Sequence, residues 1–157
     1  MKLSAIQFSL AVFLALTPAA PVWADGDSGA SSGTPRSEAY TKALKAVEKE
    51  DYRAAVELLT TEVAENEGNA DAFNMLGYSH RKTGNLDLAL KFYLKALEIN
   101  PEHRGAHEYI GETYLERHDL EKAKAHLAKL DDLCWLPCEQ FTDLKEAIKR
   151  YETRKRS

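Results

Sequence analysis

Apolar and polar positions follow one another along most of the chain with the spacing of amphipathic helices. One helical face, at positions i, i+3, i+4 and i+7, is formed by Phe73, Leu76, Gly77 and His80. After a turn around Gly84, the same spacing returns in Leu86, Ala89, Leu90, Tyr93, Ala96 and Leu97. Pro101 then stops the second helix. The pattern predicts two antiparallel helices joined by a tight turn.

The same pattern recurs with a period of 34 residues. Four columns share this register: Tyr52, Leu86 and Leu120; Ala55, Ala89 and Ala123; Leu59, Tyr93 and Leu127; and Ala43, Gly77 and Gly111. Small residues such as Gly77 and Ala89 allow two antiparallel helices to pack closely. Because one pair alone leaves an apolar face exposed, successive pairs must stack on each other. The sequence therefore predicts an all-α fold built as an α-solenoid.

This pattern resembles the tetratricopeptide repeat family. Residues 70–103 match it best, with Phe73, Leu76, Gly77, Gly84, Ala89, Tyr93, Ala96 and Pro101 in the expected places. His80 departs from it, since the family usually has Tyr there. The flanking units 36–69 and 104–137 match less closely: Ala43 replaces the family's Gly, and Trp135 stands at the proline position. The resemblance implies three helix-turn-helix units over residues 38–137.

One more amphipathic helix is predicted within residues 138–157. Its apolar face is formed by Phe141, Leu144, Ala147, Ile148 and Tyr151. Such a helix would cap the solenoid by covering its last pair. We expect the basic tail RYETRKRS to be solvated, with its cations favourably placed at the helix C-terminus.

The first 24 residues have the composition of a signal peptide of an exported bacterial protein. Lys2 precedes an apolar run centred on residues 10–16, and small residues lead to a predicted cleavage site after Ala24. The run is shorter than the roughly 20 residues that a membrane span needs, so no integral span is expected. Residues 25–37 are rich in Gly and Ser and are predicted to form a flexible linker. We expect a periplasmic protein.

The resemblance implies that the first helix of each unit lines a concave groove that binds a partner segment. The predicted groove residues are Tyr40, Leu44, Asn74, Tyr78, Arg81, Lys82, Glu108, Tyr109, Glu112 and Glu116. Tyr40 and Leu44 occupy the Lys and Asn positions of the carboxylate-clamp subfamily, so capture of a free C-terminus by that mode is not expected. The three glutamates either form a solvated face or pair with Arg81 and Lys82, or they form a binding wall for a basic or polar segment.

The chain contains two cysteines, Cys134 and Cys138, at the junction between the third unit and the capping helix. An even count in an exported protein favours an intramolecular disulfide. Two alternatives stay open: a soft-metal or redox site built from the two thiolates, and a pair of free thiols.

No catalytic or metal-binding motif is recognised elsewhere. His107-Glu108 is not followed by the second histidine of a zinc protease, and Gly111 stands in its place. The histidines at 103, 107, 118 and 126 are not expected to share one face, and the formal net charge of −4 disfavours nucleic acid as a partner. We therefore expect no cofactor and no metal. The predicted function is a non-enzymatic interaction module for a segment of an envelope protein. The alternatives are a scaffold that self-associates by stacking solenoid ends, or the metal or redox role of the cysteine pair.

Overall fold

The computed structural model describes residues 36–156, which form helices joined by short connections and contain no β-strand. The helices are α1 (Glu38–Glu48), α2 (Tyr52–Glu65), α3 (Ala70–Lys82), α4 (Leu86–Ile99), α5 (Arg104–Glu116), α6 (Leu120–Leu133) and α7 (Glu139–Arg156). No helix in this range is long and apolar enough to span a membrane. The predicted signal peptide and residues 25–35 of the predicted linker lie outside the described residues. Ser37, the last residue of that linker, caps α1 and donates its hydroxyl to Glu62.

The helices stack as an α-solenoid of three pairs followed by a single helix, which confirms the predicted fold class. Each pair packs internally, and α2 contacts α3, α4 contacts α5, and α6 contacts α7. The first helices also meet each other, since α1 contacts α3, α3 contacts α5, and α5 contacts α7. Within the described range, α2 does not contact α4, and α4 does not contact α6. The first helices are therefore closer together and line the concave side.

Small residues permit the close approach of the helices, as the sequence predicts. Ala89 is fully buried, and a Cβ added to Gly77 would lie 2.6 Å from ring carbons of Tyr93. At the equivalent position in the third unit, a Cβ on Gly111 would lie 2.5 Å from Leu144 of α7. The glycine at this repeat position thus allows α3 and α4 to pack closely in the second unit, and it allows α7 to pack closely on α5 after the third unit.

Polar side chains at the helix starts fix where the helices begin. An oxygen of Asp51, Asn69 or Asp119 accepts the backbone N–H three residues later, at 3.1, 3.1 and 3.2 Å. His103 does the same through Nδ1, which accepts the N–H of Ala106 at 3.1 Å. Its proton is therefore on Nε2, which lies 3.0 Å from a carboxylate oxygen of Asp71 on α3.

Helix α7 occupies the place that the first helix of a fourth unit would take. Its Leu144 and Ile148 are buried together with Leu115, Ala123 and Leu130 of the third unit. The connection from α6 to α7 is closed by a disulfide between Cys134 and Cys138, whose Cα atoms are 5.8 Å apart. In this form neither sulfur is a thiolate that could bind a metal ion, whereas a redox pair would also take this form in its oxidised state.

Candidate functional site

Tyrosines and cations form a continuous strip on the concave side. The rings of Tyr78 on α3 and Tyr109 on α5 lie 5.1 Å apart between centroids, and Tyr52 adds a third ring 6.0 Å from Tyr78. The guanidinium carbon of Arg81 is 5.6 Å from the centroids of both Tyr78 and Tyr109. The ammonium of Lys82 lies 5.3 Å from the Tyr78 ring. We call these five residues the aromatic strip. Its cations are within the range at which ring faces attract charge.

Two acidic residues hold the central cation of the strip in place. Arg81 forms ion pairs with Glu112 at 2.6 Å and with Glu116 at 2.7 Å, and its side chain is only 11% exposed. Burial opposes the charge of Arg81, but the two carboxylates outweigh it and raise the pKa of the guanidinium above its ordinary value. For these two glutamates the structure forms the predicted salt bridges. Lys82, the other predicted partner, lies over Tyr78 instead.

Three predicted groove residues lie inside the packing rather than on the open surface. Tyr40, Asn74 and Glu108 are 6%, 6% and 8% exposed, and they occupy equivalent positions of the three units. In each unit, this position faces the first helix of the following unit. Tyr40 belongs to a core cluster that includes Leu76 of α3, and a Cβ on Gly105 of α5 would lie 3.2 Å from the Asn74 amide. The prediction that these three side chains line the open groove is therefore corrected, because they are buried between helices. Leu44 is half-buried against the same core cluster as Tyr40.

Burial and the influence of other acidic groups keep Glu108 from ionising easily. Burial is the main cause of its raised pKa, and Glu112 on α5 and Asp143 and Glu139 on α7 add to the effect, against a smaller opposing influence of Arg81. Together they raise the pKa of Glu108 to about 8. Glu108 is therefore mostly protonated at neutral pH and contributes no negative charge to a binding wall.

A second depression follows the aromatic strip toward the C-terminus. It has a volume of about 680 Å³ and lies between the ends of α3 and α5 and the second half of α7. Its apolar lining includes Leu115, Ala147 and Tyr151, and its basic lining includes Arg150, Arg154 and Lys155. We call this depression the C-terminal cleft. Arg81, Glu112 and Glu116 stand where it meets the aromatic strip.

The sequence indicated the helix that forms the C-terminal cleft but not the cleft itself. The basic tail was predicted to be solvated, and Arg150, Arg154 and Lys155 are exposed, but the prediction did not include the cleft that they line. Arg150 and Arg154 are four residues apart, as are Ala147 and Tyr151, so both pairs follow one side of α7. This spacing is the feature of the sequence from which a shared apolar and basic side of α7 could have been predicted.

Two of the four histidines are in contact, which the sequence did not predict. Nδ1 of His107 on α5 lies 3.0 Å from Nδ1 of His126 on α6, and Nε2 of His107 donates to the carbonyl of Pro101 at 3.0 Å. Nδ1 of neutral His107 must then accept from His126. Burial lowers the pKa of both rings, and His107 also contributes to lowering the pKa of His126 to about 4. Among residues 36–156, no three His, Cys, Asp or Glu side chains are arranged to hold a metal ion.

A family model described as tetratricopeptide repeat matches residues 40–104. Over these residues the chain has the sequence pattern of tetratricopeptide repeats. Curated relatives are similar over short regions. Protein O-mannosyl-transferase TMTC3 of Mus musculus is 30% identical over 86 residues, which are 54% of this chain and 9% of that protein. The uncharacterised protein ycf37 of Pyropia yezoensis is 38% identical over 56 residues, which are 36% of this chain and 32% of that protein. This chain therefore spans less than a third of the length of either relative.

Solved structures with the same repeat fold cover more of the chain. The Yersinia enterocolitica type III secretion translocator chaperone SycD superposes with a TM-score of 0.67 at 18% identity, covering 76% of this chain and 84% of that chain. The first tetratricopeptide repeat domain of Spaghetti (RPAP3), bound to the HSP90 peptide SRMEEVD, gives a TM-score of 0.67 at 14% identity, covering 76% and 91%. At these identities the similarity shows the fold alone.

Proposed function

We propose that this chain is a non-enzymatic interaction module that binds a segment of another protein along the aromatic strip. The observation that carries the proposal is the arrangement of Tyr78, Tyr109 and Arg81. The two rings and the guanidinium are held together by mutual contacts and by Glu112 and Glu116. Because these side chains are already ordered, a bound segment gains contact area at a low cost in conformational entropy.

Peptide complexes of proteins with this fold support the proposal. SycD has been solved in complex with a peptide of the translocator YopD, and the RPAP3 repeat domain with an HSP90 peptide. The fold itself leaves the first helices side by side, which provides a surface long enough for an extended or helical segment. The strip offers aromatic faces and cations, so the segment we propose carries apolar side chains and at least one acidic group.

We further propose that the protein acts in the periplasm and that its partner is an envelope protein. This part rests on the composition of residues 1–24, which resembles a cleavable leader. An absence of enzymatic activity is also part of the proposal. The two cations of the strip are engaged in ion pairs and cation–ring contacts, and no nucleophile is positioned against a base among the strip residues.

Capture from a periplasmic extract tests the proposed function. The protein, expressed with its own N-terminal segment, would be immobilised, and the bound proteins would be identified by mass spectrometry. Tyr78→Ala and Lys82→Glu change the strip, and Lys91→Glu changes an exposed residue of α4 as the matched control. We expect each strip variant to reduce the recovered partner by about tenfold, which is about 1.4 kcal/mol, and the control to leave it unchanged. Equal capture by all three variants would exclude the strip as the binding surface.

A further inference from the structure

The loop closed by the disulfide presents large apolar side chains to solvent. Trp135 is 96% exposed and Leu136 is 70% exposed, both between Cys134 and Cys138. Exposing a tryptophan and a leucine side by side is unfavourable for an isolated soluble chain, and such patches are typical of contact sites. The disulfide also restricts the loop, so that little conformational freedom remains to be lost on binding.

Acidic residues flank this loop on both sides. Asp131 and Asp132 precede it at the end of α6, and Glu139 follows it at the start of α7, and all three are exposed. We call residues 131–139 the acidic loop. It combines a large apolar projection with three negative charges.

The C-terminal cleft has the complementary composition. Leu115, Ala147 and Tyr151 supply apolar surface, and Arg150, Arg154 and Lys155 supply positive charge from α7. Its volume of about 680 Å³ lies within the roughly 300–1,000 Å³ of pockets that hold compact ligands, so an indole ring and a leucine side chain fit inside. Glu112 and Glu116 also line the cleft, but both form ion pairs with Arg81, so the cations of α7 leave the lining with an excess of positive charge. The whole chain, by contrast, carries a net charge of −4.

We propose that the acidic loop of one copy of this protein docks into the C-terminal cleft of a second copy. Trp135 and Leu136 cover the apolar lining, and the flanking carboxylates face the cations of α7. Both the apolar surface and the charges are complementary, which favours this occupant over a neutral or basic segment. The inference goes beyond the proposed function, because it uses the cleft and the loop rather than the aromatic strip.

The contact must form between copies. The acidic loop is at the N-terminal end of α7, and the basic residues of the cleft are in its second half. Arg150 lies eleven positions after Glu139 on this helix, which is a distance of about 16 Å at 1.5 Å per residue. The helix therefore holds the loop of a copy away from the cleft of the same copy. Since loop and cleft are different surfaces, the association is head-to-tail and can continue from copy to copy.

The association should be weak. One loop in one cleft buries less surface than the roughly 1,200 Å² at which stable interfaces begin, so we expect dimers and short chains only at high micromolar concentration. Because part of the attraction is between exposed charges, raising the salt concentration should reduce the association further.

Sedimentation equilibrium with two complementary variants tests the proposal. The loop variant carries Trp135→Ser and Leu136→Ser, and the cleft variant carries Arg150→Glu and Lys155→Glu, all on the full chain. We expect the average mass of the unchanged protein to rise with concentration and each variant alone to remain a monomer. An equimolar mixture of the variants should form a one-to-one dimer and stop there, because it contains one intact loop and one intact cleft. Lys91→Glu on α4 is the control and should associate like the unchanged protein.

Several outcomes would overturn the proposal. These are an unchanged protein that stays monomeric throughout, a loop variant that associates as well as the unchanged protein, or a mixture of variants that remains monomeric. Far-ultraviolet circular dichroism and a thermal midpoint within a few degrees of the unchanged protein establish that each variant is folded. If the cleft variant fails that check, Lys155→Glu alone replaces it, and it should weaken the association without abolishing it.

Discussion

At three equivalent turns the backbone takes the same left-handed conformation, but only one of them has a glycine. The φ angles are 58° at Glu50, 84° at Gly84 and 61° at His118, and the three positions are 34 residues apart. Side chains with a Cβ adopt this region at a cost of roughly 1–2 kcal/mol. The turn between the two helices of a unit thus imposes its geometry on Glu50 and His118, and Gly84 is the residue that suits it.

Replacing Glu50 with glycine should stabilise the fold. Relief of the left-handed strain outweighs the larger entropy of glycine in the unfolded chain, so we expect a gain of roughly 0.5–1 kcal/mol in the free energy of unfolding. Urea denaturation followed by circular dichroism measures the change. Gly84→Ala is the converse and should cost about 1 kcal/mol. A loss of stability in Glu50→Gly would show that its side chain contributes more than the strain removes.

Glu108 should make stability depend on pH in a direction unusual for a carboxyl group. The folded chain keeps its proton to about pH 8, whereas the unfolded chain releases it near the ordinary value of 4.5. Stability contributed by protonated Glu108 is therefore present in full below about pH 4.5 and is lost as the pH rises toward 8.

The variant Glu108→Gln keeps the shape of the protonated acid and cannot ionise. Each unit of pKa difference is worth about 1.4 kcal/mol, so the variant should exceed the unchanged protein by a few kcal/mol at pH 9 and match it near pH 4.5. Urea denaturation at both pH values measures the difference. The comparison cancels the opposite effect of His126, whose lowered pKa removes stability as the pH falls below 6.5. A difference that does not change with pH would contradict the proposed protonation of Glu108.

At the scale of the helices, the sequence predicts where the repeated helices begin and end. It does not predict how closely they stack or how the last helix is placed. The turn at Gly84 and the stop before Pro101 follow from local chemistry: α3 ends just before Gly84, and α4 lies between Gly84 and Pro101, as expected. The burial of Asn74 could not be predicted, because its distance from α5 depends on how closely the first helices stack. The C-terminal cleft was missed for a related reason, since the end of α7 is outside the repeat and its orientation is set by packing on α5 and α6.

The packing of α7 on α5 depends on the absence of a side chain at Gly111. A methyl group there would press on Leu144, so Gly111→Ala should cost about 1–3 kcal/mol by overpacking. Gly68→Ala is the matched control, because a Cβ at Gly68 meets no atom within 4 Å. Hydrogen exchange locates the effect: we expect faster exchange over residues 139–156 in Gly111→Ala and no such change in Gly68→Ala. Unchanged exchange in that helix would mean that α7 does not rest on α5 at this point.

At the scale of the whole molecule, contact among the first helices creates one continuous face. Tyr78 and Arg81 of α3 meet Tyr109 and Glu112 of α5 on that face. The described second helices diverge from each other on the opposite side, where exposed residues such as Lys91 project into solvent. A protein that binds a segment on its concave side should therefore contact it through α3 and α5 and not through the outer surface of α4.

Site-specific photo-crosslinking in the native cell tests this claim most directly. A photoreactive amino acid would be placed at Tyr78 in one version of the protein and at Lys91 in another, and the crosslinked products would be compared. We expect a discrete adduct with another protein from position 78 and none from position 91. An adduct from position 91 with none from position 78 would contradict binding along the aromatic strip.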